Sequence, residues 1–325
     1  MSILVTGGTG QLGSAVARAL ADEGRQVRCV VRDKDRLGVL DPTGIEVVLG
    51  DVTDLGSLRT ATKGCKQVVH AAGIVSYLSK NKARQEAVNH QGTRNVLDAA
   101  AFADADRVLL TSSIAALGYL PEGEIGDEET PWNWGPYKLG YFDTKYAAER
   151  LVLGDTRLEG VAVNPGITLG HSDVNHNGGR ILLQVHNGGP LGLPTGATTV
   201  ASLDDVVQGH LAALDRGVSG ERYVLGGHTP SWAELFQAAA EVVGKPAPSR
   251  MIPKWVLKLA GGAALLKGQF TGQEPPLTPA LAEVTAKNRR YSSAKAIREL
   301  GYAPKPLAHG LEQCWRWYKD NGHVR

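Results

Sequence analysis

Short apolar runs alternating with amphipathic stretches fill the first half of this chain and constrain its fold more than any other feature. They read "ILVTGG", "GSAVARALADEG", "VRCVVR", "IEVVLGD", "LGSLRTATKG", "QVVHAAG", "NHQGTRNVLDAAAFA" and "RVLLTSS". Strands apolar at every position must be covered on both faces, and parallel neighbours need a crossover long enough for a helix. The pattern therefore predicts βαβ units building a doubly wound parallel sheet, an α/β fold. Further on, "LEGVAVNP" reads as another strand, "SLDDVVQGHLAALDRG" as a helix, and "ERYVLGG" as a strand. "SWAELFQAAAEVVG" reads as a helix with a capping box from Ser231 and Glu234. The Gly, Asn and His-rich stretch from Leu169 to Gly196 separates these from the first half. The expected division is residues 1–168 as one α/β unit, and 169–325 as a smaller α+β part with some segments returning to the main core. No long Pro/Ser/Gly tract separates them, and "QEPPLTP" reads as a turn-bearing connection.

Several function classes drop out on composition. A formal net charge of +2 over 325 residues, with scattered basic residues, offers no footprint for nucleic acid or an anionic membrane. Cys29, Cys65 and Cys314 stand far apart, without a CxxC pair, and read as small buried hydrophobes. The chain begins directly with a strand rather than a leader, so the expected location is the cytoplasm. "WVLKLAGGAALL" is shorter than a bilayer span and carries Lys258, which predicts a core or pocket-lining helix. His70, His171, His176, His186 and His210 are spread over different elements without ligand spacing, so no metal is expected. No GxSxG elbow is present for hydrolase chemistry.

"LVTGGTGQLG" places Gly7, Gly10 and Gly13 between the first strand and the first helix, with Gln11 and Leu12 inside the turn. Glycines here permit a tight turn, close approach of a pyrophosphate to helix N-terminal N–H groups, and tight packing of helix on sheet. The first unit is thus expected to be a Rossmann-type NAD(P)-binding domain. The second strand ends at Arg32, where enzymes for unphosphorylated NAD usually place an acid for the ribose hydroxyls. A cation suits a 2′-phosphate, and Lys34 and Arg36 add charge nearby. Asp33 offers the opposite arrangement if it turns toward the ribose. NADP is the expected cofactor and NAD the alternative.

"YFDTK" puts Tyr141 and Lys145 four residues apart, hence on one helix face. By spacing alone the pair is either an acid/base with its cation or a half-buried Tyr beside a solvent-facing Lys. Tyr137 has no Lys four residues on, since Tyr141 holds that position.

Taken in order, "TGGTGQLG", "GDVTD", "HAAG", "VNHQGTRNVLDAA", "TSS", "YFDTK" and "NPG" resemble the extended short-chain dehydrogenase/reductase superfamily over nearly the whole chain. The C-terminal "YSSAKAIRELGYAPKPLAHGLEQCWRWYKDNG" resembles its terminal module. Within the superfamily, "NPGITLG" and "GERYVLGG" are most similar to the dihydroflavonol reductase, hydroxysteroid dehydrogenase and hopanoid-associated sugar epimerase-like branch. The resemblance implies Ser113, Tyr141 and Lys145 as the catalytic set, with Tyr141 as acid/base, Lys145 lowering its pKa and Ser113 holding the substrate oxygen. It implies Asp51 and Val52 at the adenine, Ala71, Ala72 and Gly73 at ribose and pyrophosphate, Pro165, Gly166 and Ile167 at the nicotinamide, Tyr141 and Lys145 also contacting the cofactor, and a supporting Asn89. Family members often pair through helices, so a homodimer is consistent with it.

The pocket is expected over the C-terminal strand ends. Its candidate linings are Tyr77, Leu78, Ile114, Trp132, Trp134 and the stretch from His171 to Arg180. The two Trp fit either a substrate clamp or packing anchors for a long loop. The expected function is NADPH-dependent reduction of a ketone or aldehyde on a moderately hydrophobic small molecule. The alternatives are a nucleotide-sugar epimerase or dehydratase retaining its cofactor, and a non-catalytic sensor. "NPGITLGHSD" departs from the nucleotide-sugar enzymes, and "SLDDV" has Ser202 where many relatives carry His, a departure the sequence leaves without a role.

Overall fold

The computed structural model describes residues 2–190, 192–271 and 277–324. Seven parallel strands form the main sheet: β1 Ser2–Thr6, β2 Gln26–Val31, β3 Ile45–Leu49, β4 Cys65–His70, β5 Arg107–Thr111, β6 Glu159–Pro165, and a last strand Arg222–Leu225. The short β7 Ile167–Leu169 and β8 Val200–Ser202 pair separately, which makes the last strand β9. The main order is β3-β2-β1-β4-β5-β6-β9. The order in which strands are added reverses between β1 and β4, opening a crevice at their C-terminal ends where doubly wound sheets bind ligands.

Strand alternation explains how both faces are covered. Ile3 and Val5 of β1 point into a core with Val16, Ala17 and Leu20 of the helix Gln11–Asp22. Leu4, between them, points the other way, into a core with Leu58, Val96 and Leu97 of the helices Leu55–Thr62 and Gly92–Phe102. Each such fully buried Leu contributes about 1.5–3 kcal/mol.

The third core is built only from later residues, including Leu169, Leu182, Phe236, Leu311 and Trp315. β9, the helix Leu203–Arg216 and the helix Ala294–Leu300 return to the first core. Ser231 and Glu234 form the expected capping box. Ser202 gains a role: its Oγ accepts from the Asp205 N–H at 3.2 Å and caps the helix Leu203–Arg216. The apolar helix expected from "WVLKLAGGAALL" is two-sided, with Leu257 and Gly261 buried on one side. The helix Lys254–Thr271 presents Trp255, Leu259 and Leu266 to solvent at 60% exposure or more, so that face lines no core. Its Lys254 and Lys258 both pair with Glu283. Part of the stretch "QEPPLTP" lies outside the described residues. Among the described residues, no helix is long and apolar enough to cross a membrane.

Candidate active site

The glycine turn forms because side chains do not fit it. Gly7 has φ +75°, and a Cβ there would lie 2.6 Å from the Ala72 nitrogen. A Cβ on Gly13 would lie 2.3 Å from the Gly7 carbonyl oxygen. Gly10 meets only that carbonyl oxygen, at 3.5 Å, and the helix it opens has neither a side-chain cap nor an acid in its first turn. These open N–H groups at a positive helix end fit a pyrophosphate. Gln11 reaches across to donate to the His171 carbonyl at 2.7 Å, tying the turn to the C-terminal part, while Leu12 packs against the first core.

Arg32 follows β2, is exposed, and has no ion pair among the described residues. Asp33 is occupied: one oxygen accepts from Asp35 N–H at 2.9 Å and the other lies 3.5 Å from Arg36. Asp51 is likewise drawn into its own turn, accepting from the Thr53 N–H and hydroxyl at 2.8 Å. Val52 is buried, and its carbonyl accepts from Asn95 at 2.8 Å. Pro165 ends β6; a Cβ on Gly166 would strike the Thr199 carbonyl oxygen at 2.4 Å, and Ile167 N–H donates to that oxygen at 2.8 Å.

Behind Ala71 to Gly73 runs a polar chain that the sequence did not reveal. Ala72 N–H donates to Thr6 Oγ1 at 3.3 Å, and Thr6 Oγ1 lies 2.7 Å from His70 Nδ1. His70 Nε2 lies 3.0 Å from Thr93 Oγ1, which donates to the Asn89 carbonyl. Since the Thr93 hydroxyl proton is used, His70 carries its own proton on Nε2 and accepts from Thr6 at Nδ1. Burial, then the charge of Lys145, lowers its pKa to about 3, so it stays neutral. Asn89 sits in a π-helical turn, Glu86–Gln91, and its amide clamps both backbone groups of Ile74 and the Thr144 hydroxyl.

Ser113, Tyr141 and Lys145 come together at the end of β5. The strand stops at Thr111, so Ser113 lies just beyond it, capping a short 3₁₀ turn through Ala115 N–H at 3.2 Å. The helix Gly140–Leu153 presents Tyr141 and Lys145 on one face, as the spacing requires. Lys145 is buried and donates from Nζ to the Thr111 carbonyl at 2.8 Å. A Cβ on Gly73 would lie 3.4 Å from Nζ, placing this cation under the strand-end loop. Burial lowers the Lys145 pKa to about 8, against a smaller raising effect of Glu149.

The influences on the Tyr141 phenol come from groups other than the Lys145 of the expectation. Burial raises the Tyr141 phenol to about 12, and the groups opposing that rise are the Ser113 hydroxyl and the Arg289 guanidinium.

The pocket expectations divide. Tyr77 is half-buried beside Tyr141, with ring centroids 6.5 Å apart at an edge-on angle, and Arg180 and Arg289 both act on its hydroxyl. Trp132 is half-buried in the same aromatic cluster and stacks on Tyr146 at 4.5 Å. Trp134 is not a lining residue: it is fully buried against Phe142, Tyr119 and Tyr137, and its Nε1 donates to the Leu117 carbonyl at 3.0 Å. Ile114 is likewise enclosed, by Leu117, Val224 and Tyr291. His171 is exposed on a separate groove of about 660 Å³, with Arg18, Asp41 and Asp204, on the outer side of the first helix. Its backbone is held by Gln11 while its ring faces that groove, so it leaves the site.

A second support was also missed. Glu149 is buried and binds Arg222 at 2.7 Å and Asn164 at 2.6 Å, and Asn164 donates to the Ser113 carbonyl at 3.0 Å. Glu149 continues the 141, 145 series by four residues, a signal the sequence contained; nothing local announces Arg222.

A parallel sheet with a glycine turn at its switch point and a Ser, Tyr and Lys set beside it defines an NAD(P)-dependent enzyme of the extended short-chain dehydrogenase/reductase type. Residues 3–226 match the NAD dependent epimerase/dehydratase family, and the chain belongs to that family. It is 31% identical over 334 residues to "Sterol demethylase protein B" of Methylococcus capsulatus, covering 100% of both chains. It is also 31% identical over 330 residues to a "Putative dihydroflavonol 4-reductase" of Synechocystis sp., covering 99% of this chain and 95% of that one. The solved structure of gox2253 superposes with a TM-score of 0.85 at 31% identity, covering 100% of this chain and 99% of the other.

Proposed function

We propose that this enzyme reduces a ketone or aldehyde on a moderately hydrophobic small molecule, using NADPH. The observation carrying the reading is the meeting, at the end of β5, of the half-buried Tyr141 with Ser113, which acts on its phenol, and with the buried Lys145 on the same helix face. A phenol raised to about 12 holds its proton at neutral pH, so the resting site is loaded to donate one. Ser113 would orient the substrate oxygen and stabilise charge developing on it, and Tyr141 would protonate that oxygen. Lys145 would hold ribose hydroxyls next to Gly73.

The turn Gly7 to Gly13 would take the pyrophosphate, Asp51 and Val52 would border the adenine, Ala71 to Gly73 the ribose, and Pro165 to Ile167 the nicotinamide. The free Arg32, beside an Asp33 already occupied, supports NADP over NAD. When bound, the cofactor supplies the hydride. Tyr77 and Trp132 would line the apolar side of the substrate pocket, with Arg180 at its mouth.

The test is a titration with NADPH and NADH followed by a carbonyl panel, read as loss of reduced-cofactor absorbance. Consumption of NADPH with aromatic or alicyclic ketones supports the reading. A second reading, suggested by the family's own description, is an epimerase or dehydratase. Cofactor that stays bound through gel filtration, with turnover of a nucleotide sugar and no net cofactor consumption, would establish that instead.

A further inference from the structure

We propose that Arg289 is an anion-binding residue of the substrate pocket, and that the substrate carries a carboxylate close to the carbonyl or alcohol at which it reacts. This deepens the reductase reading of the Ser113 and Tyr141 site and rests on it.

Arg289 is only 6% exposed. A guanidinium stays charged in any protein environment, and a buried charge without a counter-ion is costly. Yet among the described residues no carboxylate lies within ion-pair reach of Arg289. Its side chain makes a single long hydrogen bond, 3.3 Å to Thr198 Oγ1, and its Nε is buried with no partner. The other cations held inside the described part of the chain are satisfied: the half-buried Arg222 has Glu149 and the buried Lys145 has Thr111. Among the described residues, Arg289 is therefore the buried cation left with donors to spare.

Its position is fixed by backbone pairing. Arg289 N–H donates to the Ala197 carbonyl, and its own carbonyl accepts from Thr199 Oγ1 at 3.1 Å. The Thr199 carbonyl in turn accepts from Ile167 N–H, which sets the segment against the "NPG" turn. The preceding helix Pro279–Thr285 packs Ala280 and Val284 into the aromatic cluster of Tyr77 and Tyr141. The guanidinium acts electrostatically on both phenols, and Tyr77 also feels Arg180. The spare charge thus lies near enough to the Tyr77 and Tyr141 hydroxyls to act on both, at the catalytic end of the pocket. A planar fork of donors matches a carboxylate in two parallel hydrogen bonds.

The test uses matched pairs with the intact enzyme. Benzoylformate should be reduced with a kcat/KM on the order of 10–100-fold above that of its methyl ester, the worth of hydrogen bonds to a charged group. Arg289→Gln should lower the acid's value by that factor more than the ester's. Independently of turnover, benzoate should bind the wild type more tightly than benzamide in a thermal-shift titration, and Arg289→Gln should erase the difference. Arg289→Lys, which keeps charge without the fork, should retain part of it and carries the test if the Gln variant does not fold. Equal binding of benzoate and benzamide, or a benzoate preference surviving in Arg289→Gln, overturns the proposal. Arg289-dependent binding of inorganic phosphate in preference to benzoate overturns the carboxylate assignment in favour of a phosphate ester. Failure to reduce any carbonyl while Arg289-dependent benzoate binding persists would sink the reductase reading and leave the anion site standing.

Discussion

Lys145 Nζ donates to the Thr111 carbonyl across 2.8 Å, joining the helix Gly140–Leu153 to the last residue of β5. That bond holds a buried cation between the strand end that carries Ser113 and the loop that carries Gly73. Its charge is present below about 8 and lost above. The kcat/KM for reduction, which reports on the free enzyme, should therefore fall as pH rises through about 8. Lys145→Met should bind NADPH on the order of 10–100-fold more weakly and lack that limb of the profile. An unchanged profile in the variant would remove Lys145 from the site.

Tyr141→Phe deletes one oxygen and keeps the ring against Tyr77 and Phe142. Its expected effect is a turnover loss of roughly 10²–10⁴-fold, the usual contribution of a positioned acid, with cofactor affinity little changed. Steady-state kinetics beside a cofactor titration would separate the two. Retained turnover would show that another group delivers the proton.

For Arg32→Ala, NADPH should lose roughly 10–100-fold in affinity while NADH changes far less, since only the former offers a phosphate to the guanidinium. Fluorescence titration of both cofactors measures the ratio directly. Equal losses would place Arg32 outside the cofactor contact.

The parts of this architecture legible in the sequence are those encoded locally. Strand alternation and helical periodicity need only neighbouring residues, so the doubly wound sheet, the glycine turn and the face shared by Tyr141 and Lys145 could be read directly. Full burial of one Trp and not another could not: Trp134 disappears behind Phe142 and Tyr119, whereas Trp132, two residues earlier, stays half-buried on Tyr146. Contacts across long sequence separations were equally hidden. Arg222 reaches Glu149 across 73 residues, and Arg289 meets Thr198 across 91. The outward face of Lys254–Thr271 was hidden for a related reason, because an apolar helix carries no mark of which side finds a partner.

The Glu149 and Arg222 pair gives a stability prediction. Breaking a buried pair leaves an uncompensated charge, which costs about 3–5 kcal/mol. Arg222→Met should cost that much in chemical denaturation. It should also lower turnover, because Glu149 then loses the partner that orients it toward Asn164 and the Ser113 carbonyl. A stable variant with normal kinetics would show that Asn164 alone positions Ser113.

Two buried histidines set the acid limit of the fold. His70 and His210 are held neutral by burial, with pKa values lowered to about 3 and about 4. His210 donates from Nδ1 to the Val206 carbonyl at 2.7 Å and accepts from Thr111 at Nε2. An ordinary histidine titrates near 6.5, so below about that pH the unfolded chain takes up protons that the folded chain refuses. Stability should be undiminished above about pH 6.5 and should fall as pH drops toward 4, by up to about 1.4 kcal/mol per pH unit for each histidine. His210→Gln should start from lower stability and show a shallower decline over the same window. Urea melts at stepped pH values measure both slopes, and parallel curves for wild type and variant would mean that His210 is not kept neutral by the fold.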